Sequence, residues 1–170
     1  GFPAQHGRQR LDLLVDLMLV RRLQPWHENV GKRLVKSPKV YVRDSGVVHA
    51  LLSIGTIEGL LGHPVVGGCW EGLCIEALLA AAPTGTEPFF YRTSAGAELD
   101  LVLRLPGGDI WAVEIKRTTA PKVSRGFYVG AEDIKASRKL LIYAGEHDVP
   151  VAEGVRAVPL EQGIGLLRAL

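Results

Sequence analysis

The 170-residue chain carries 20 Lys or Arg against 18 Asp or Glu, two Cys and 47% hydrophobic residues, the profile of one compact soluble domain with room for a small appendage. That profile excludes a disulfide scaffold and a disordered chain; no apolar run approaches the ~20 residues a bilayer requires, which excludes a membrane span. A chain of this size buries about 70% of its unfolded surface, so any metal it binds would serve chemistry rather than folding.

In chain order, Arg10 to Leu23 (RLDLLVDLMLVRRL) is rich in helix formers and stops before Pro25, which predicts a largely buried helix with Arg21 and Arg22 in its last turn. After a loop and the basic run Lys32 to Lys39, the alternating Val40 and Val42 of PKVYVRD predict a short strand, and Asp44 or Ser45 is placed to cap the helix beginning GVVHALLS. The segment Pro64 to Ala82 is apolar nearly all round and predicts the central packing helix. Three strands follow in PFFYRTS, ELDLVLRL and DIWAVEIKRT, the last two joined by a Pro106, Gly107, Gly108 turn as a hairpin. A helix around Arg125 to Lys135, the buried strand RKLLIYAG, VRAV and a final helix complete an αβββαβ order in an α/β fold.

The near-neutral total conceals a division. Residues 1–43 carry nine Lys or Arg against three Asp or Glu, while residues 44–170 carry eleven against fifteen. A basic helical connector (1–43) is therefore expected ahead of an acidic body (44–170). Arg21, Arg22, Lys32, Arg33 and Lys36 are its candidate nucleic-acid contacts, with simple solvation of these charges as the alternative. Cys69 and Cys74 fit neither a zinc knuckle nor a redox pair and are read as structural thiols, which suits a cytoplasmic location. The chain begins at Gly1 and shows no secretory signal pattern, so a fragment of a longer protein is expected.

Serine-nucleophile motifs are absent, and the five histidines lack metal-ligand spacing. Gly31 and Lys32 look like the end of a phosphate loop, but Arg33 replaces the required Ser or Thr, so no ATP site is expected here. The hairpin is different, because Asp100, Glu114 and Lys116 interrupt otherwise apolar strands. Alternation places Glu114 and Lys116 on one face with Ala112, and Glu98 with Asp100 opposite Leu99, Leu101 and Leu103. Pairing the strands can bring Asp100, Glu114 and Lys116 to one edge of the sheet. Two carboxylates there supply hard oxygen ligands for Mg²⁺ or Mn²⁺, and an adjacent ammonium suits phosphodiester hydrolysis; a structural salt bridge is the competing reading. A second acid-x-Lys match, Asp133 to Lys135, sits in a predicted helix and is read as a solvated charge pair. Trp26, Trp70, Trp111, Phe89, Phe90 and Tyr91 offer a stacking platform for bases, or simply core.

The acidic hairpin with Glu114-Ile-Lys116 behind a Glu-bearing helix resembles the PD-(D/E)xK nuclease superfamily, with its restriction-endonuclease-like αβββαβ core. More closely, KRLVKSPKVYVRDSGVVHALL, GGCWEGLCIEALL, FFYRTSAGAELDLVL, WAVEIKRT and KLLIYAG resemble, in that order, the C-terminal domain of unknown function of bacterial and archaeal AAA-type ATPases. The resemblance implies metal-ligand roles for Asp100 and Glu114, a catalytic role for Lys116 and an auxiliary acidic role for Glu71. Glu76 competes for that last role but lies about 140° round the helix from Glu71. Leu99 stands where the superfamily pattern has Pro. The resemblance further implies an N-terminal ATPase module as partner, a winged-helix-like origin for the basic connector, and metal-dependent cleavage of nucleic acid. A catalytically inactive module that binds nucleic acid or protein and regulates the ATPase is the alternative.

Overall fold

The computed structural model describes residues 4–28 and 31–170. Its chain order is α1 (Ala4–Asp16), β1 (Val20–Pro25), β2 (Lys39–Val42), α2 (Ser45–Leu51), α3 (Ile57–Leu61), α4 (Val66–Ala81), β3 (Glu87–Arg92), β4 (Glu98–Arg104), β5 (Ile110–Lys116), α5 (Arg125–Asp133), β6 (Arg138–Tyr143), β7 (Val149–Ala152), β8 (Val155–Pro159) and α6 (Leu160–Arg168). The strands form one mixed eight-stranded sheet in the order β2-β1-β3-β4-β5-β6-β8-β7. β4 runs antiparallel to both its neighbours, β3 and β5, whereas β5, β6 and β8 are parallel. The α4-β3-β4-β5-α5-β6 stretch thus follows the αβββαβ order expected from the pattern of apolar runs.

Two apolar layers cover the sheet. On one face Cys74, Ile75 and Leu78 of α4 and Leu167 of α6 pack on Leu101, Leu103, Trp111, Val113, Ile115 and Ile142. On the other, Phe127 and Ala131 of α5 pack on Tyr91, Leu99, Val102, Ala112, Leu141 and Tyr143. Residues Leu140 to Tyr143 of β6 are buried in succession, as a parallel strand covered on both faces must be. Gly130 marks the closest approach of α5 to the sheet: a Cβ there would lie 3.0 Å from Leu99 Cγ and 3.2 Å from Tyr91 Cδ1. Leu99 and Tyr91 are fully buried and have nowhere to yield. Gly130→Ala is therefore expected to cost about 1–3 kcal/mol through overpacking, seen as a lower urea midpoint at unchanged m-value.

The sequence reading of Arg10 to Leu23 as one buried helix needs correction. The helix stops at Asp16, and Met18 adopts φ 58°. Val20 to Leu23 then become a strand, because Val42 to Lys39 offer an antiparallel partner. Leu13, Leu17 and Met18 are exposed rather than buried. The short α3 and the edge strand β7 were not anticipated. Asp44 does cap α2, accepting from the Gly46 N–H at 2.7 Å.

Candidate functional site

The site grows from a flaw in the sheet. The β4–β5 ladder runs from Arg104↔Ile110 to Leu101↔Val113, and beyond that pair the strands part. Asp100 fills the fork: its Oδ2 accepts the Ile115 backbone N–H at 2.9 Å, the role a ladder carbonyl would otherwise take. On the other side of β4, Phe89 faces Val102 and Tyr91 faces Leu99, so Asp100 and Leu101 together oppose Phe90, a β-bulge of the kind that re-aims side chains beside functional sites. The bulge corrects the expected alternation. Leu99 packs on the α5 side while Leu101 and Leu103 pack on the α4 side, and Asp100 is turned toward α4.

On α4, Glu71 lies at the same place. Lys39 Nζ of β2 joins the acids, 3.1 Å from Glu71 Oε1, 3.0 Å from Glu98 Oε1 and 3.5 Å from Asp100 Oδ1. Tyr41, two residues along the same strand face, donates its hydroxyl to Glu71 Oε1 at 2.5 Å. Glu76 goes elsewhere, accepting hydrogen bonds from Arg21 and, at 2.8 Å, from Arg43 Nε.

Glu114 alternates with Val113 and Ile115, which belong to the α4-side layer, and so leaves β5 on the α5 side with Ala112. Its Oε1 lies 2.6 Å from Lys116 Nζ, and its Oε2 is buried with no hydrogen-bond partner. The predicted residues therefore form two groups across the fork, Asp100 with Glu71 and Glu114 with Lys116. The fork couples them: the Lys116 charge acts on Asp100, and those of Asp100 and Glu98 act on Lys116.

Burial and then the Glu71 charge push the Asp100 carboxyl up to about 6, against the opposing pull of the Ile115 N–H, Lys39 and Lys116. Burial pulls the Lys39 ammonium down, but Glu71, Asp100 and Glu98 outweigh it and hold the group above the usual lysine value. Lys116 behaves alike, its burial outweighed by Glu114, Asp100 and Glu98. Burial and the Glu71 carboxylate raise the Tyr41 hydroxyl well above an ordinary phenol.

In donor chemistry these residues fit a hard divalent cation, since every donor is an oxygen and one buried carboxylate oxygen of Glu114 is orphaned. In position they hold an ammonium instead, with Lys39 between Glu71 and Asp100. Among the described residues no group of three or more His, Cys, Asp or Glu side chains is arranged to hold a metal ion.

The predicted basic set is dispersed. Arg21 pairs with Glu76, Arg22 with Asp12, and Lys32 with Asp133 at 2.7 Å; Arg33 and Lys36 are exposed in the segment between β1 and β2. Asp133 is no solvated surface charge, since it also accepts the Tyr91 hydroxyl. Trp26, Phe89, Phe90, Tyr91 and Trp111 are core residues, which removes them as a base-stacking platform. Cys74 is buried and its thiol is pushed up to about 12 by burial and then by Glu71 and Glu161, in keeping with a structural role. Sequence reasoning missed Lys39 and Tyr41. The available signal was their spacing, which sets two polar-tipped side chains on one face of a strand whose other face holds Val40 and Val42.

Residues 66–163, more than half of the chain, match the family described as Domain of unknown function (DUF4143). The chain belongs to that family. Residues 2–58 match a second description, Domain of unknown function (DUF8612). The DUF4143 segment contains Glu71, Asp100, Glu114 and Lys116, whereas Lys39 and Tyr41 come from the DUF8612 segment, so the acid cluster is assembled from both. Two curated relatives, Uncharacterized protein Mb2031c of Mycobacterium bovis and Uncharacterized protein Rv2008c of Mycobacterium tuberculosis, are each 42% identical over 157 residues, covering 92% of this chain and 35% of the relative. The chain thus spans about a third of the length of the curated relatives it matches. No solved structure matches it. No helix among the described residues is long and apolar enough to cross a membrane.

Proposed function

We propose that this chain is a restriction-endonuclease-like, PD-(D/E)xK-type domain that hydrolyses nucleic-acid phosphodiesters at the β4–β5 fork with Mg²⁺ or Mn²⁺. The observation that carries this reading is the fork itself: Glu71, Glu98 and Asp100 converge on a single cationic group, with the Glu114–Lys116 pair on the adjoining strand. The αβββαβ order supports it. A divalent cation bound there would polarise the scissile phosphate and acidify a bound water.

The chain's own residues have definable tasks. Asp100, positioned by the bulge and by the Ile115 N–H, and Glu114, with its unpaired buried oxygen, would hold the cation. Glu71 would add charge from α4. Lys116, the most accessible of these groups at 40% side-chain exposure, would meet the phosphate and stabilise negative charge as it develops. The unmatched two thirds of the mycobacterial relatives leave room for the AAA-type ATPase module that the resemblance implies.

The test is cleavage of plasmid DNA and of DNA and RNA oligonucleotides by the full-length protein with Mg²⁺ or Mn²⁺. Asp100→Ala, Glu114→Ala and Lys116→Ala are each expected to lower the rate about 100-fold or more. A folded wild type inert on every substrate, or an Asp100→Ala variant as active as wild type, overturns the assignment. One observation favours a second reading, a non-catalytic module regulating the ATPase: Lys39 already neutralises the acid cluster. An inert wild type whose coupling to the ATPase fails on neutralising Arg33 and Lys36, but survives Asp100→Ala, would establish that reading.

A further inference from the structure

The acid cluster carries a cation of its own, and it comes from outside the strands that bear the acids. Lys39 Nζ contacts three carboxylates, those of Glu71, Glu98 and Asp100, at 3.0 to 3.5 Å, and lies 5.6 Å from the centre of the Phe90 ring. Lys116 already has a partner in Glu114, so Lys39 is a second ammonium at the site rather than the lysine of the Glu114-Ile-Lys116 motif. A divalent cation held at Asp100, with Glu71 adding charge beside it, would sit about 2.0–2.1 Å from the oxygens it binds. An ammonium in contact with the same oxygens would then stand within a few ångströms of a double positive charge in a partly buried place, where repulsion is strong. The two cations exclude each other.

Exchange requires only the Lys39 side chain, 21% exposed, to swing away from the carboxylates. β2 is the edge strand, four residues long, and pairs with β1 alone. β1 and the loop after it are held to β3 by Gln24↔Phe89 and Pro25↔Phe90, by the Trp26 N–H donating to Phe90 O and by the Leu34↔Thr93 bridge, and Arg21 and Arg43 anchor both strands to Glu76. The strands therefore stay in place, and the exposed-edge position leaves the Lys39 side chain as the part that moves. Tyr41 fastens β2 to Glu71, the carboxylate that adds charge beside the metal position. Resting on the metal-site reading above, we propose that Lys39 is the resident cation of the fork, and that a divalent metal enters only by displacing its ammonium, which makes the Lys39 side chain a gate on the site.

The test is Mn²⁺ binding, followed by electron paramagnetic resonance and calorimetry, in the full-length wild type and in Lys39→Gln, Lys39→Arg and Asp100→Asn. Lys39→Gln is expected to bind Mn²⁺ at least about tenfold more tightly than wild type, Lys39→Arg no more tightly than wild type, and Asp100→Asn more weakly. Equal affinities in wild type and Lys39→Gln, with loss in Asp100→Asn, would overturn the gate and leave the metal site standing. No Mn²⁺ binding by any variant would overturn both. Should Lys39→Gln fail to fold, the wild type decides by acetylation and mass spectrometry: Lys39 should be modified several-fold faster in saturating Mn²⁺, and an unchanged rate overturns the gate.

Discussion

Glu76→Ala is expected to lower the unfolding free energy by about 2–4 kcal/mol, because it leaves the Arg21 and Arg43 guanidiniums facing each other without their shared counter-charge. The Glu76 side chain is only 15% exposed and those of Arg21 and Arg43 are 23% and 35% exposed, so solvent replaces little of what is lost. The figure stays below the full cost of breaking a deeply buried pair because the arginines keep some water. Burial pushes the Glu76 carboxyl up, but the hydrogen bonds and charges of Arg21 and Arg43 outweigh it and hold the group below the ordinary 4.5. A carboxyl depressed in the folded state stabilises fully above its unfolded value, and that stabilisation is lost as pH falls through the folded value. The gap between wild type and Glu76→Gln in urea denaturation should accordingly be wide at pH 7 and narrow progressively as pH falls below the ordinary 4.5. A gap that stays constant down to the acid limit of folding would show that packing, not the ion cluster, carries the effect.

Asp100 should show the opposite dependence. Its folded value of about 6 lies above the ordinary 3.8, so the folded state holds the proton more tightly than the unfolded chain does. The resulting stabilisation is fully present below about 3.8 and is lost as pH rises through 6, amounting to about 3 kcal/mol at one 1.36 kcal/mol step per pH unit. Asp100→Asn keeps an oxygen for the Ile115 N–H and removes the charge. It is therefore expected to be about 2–3 kcal/mol more stable than wild type at pH 8 relative to the same comparison at pH 4. Thermal melts at the two pH values check this, and parallel pH curves for the two proteins would count against a strained carboxylate. Asp100 is thus a carboxyl that costs stability when ionised and is held in place by a bulge and a backbone donor.

Much of the architecture was legible from local pattern. The apolar run of α4, the turn at Pro106 to Gly108 and the compact RKLLIY strand each announce themselves by composition over a few residues. Helical geometry alone also separates Glu71 from Glu76 by about 140°, and the structure puts the first at the acid cluster and the second among arginines. Where local pattern misled, a distant partner had overridden it. LDLLVDLMLVRRL has strong helix formers throughout, yet Val20 to Leu23 became a strand because KVYV supplies its missing hydrogen bonds.

The chain's own sequence determined that acids and a lysine would interrupt two apolar strands, since alternation along a strand is a local property. Only the tertiary structure decided what those charges meet. The bulge at Asp100 leaves no mark of Gly or Pro in ELDLVLRL; it arises from how β4 registers against β3, and it moves Asp100 to the side where Glu71 stands. The cation between them, Lys39, lies 32 residues before Glu71 in the chain. Contacts across such separations are set by strand pairing and helix packing rather than by neighbouring residues, so no reading of spacing along the chain contains them.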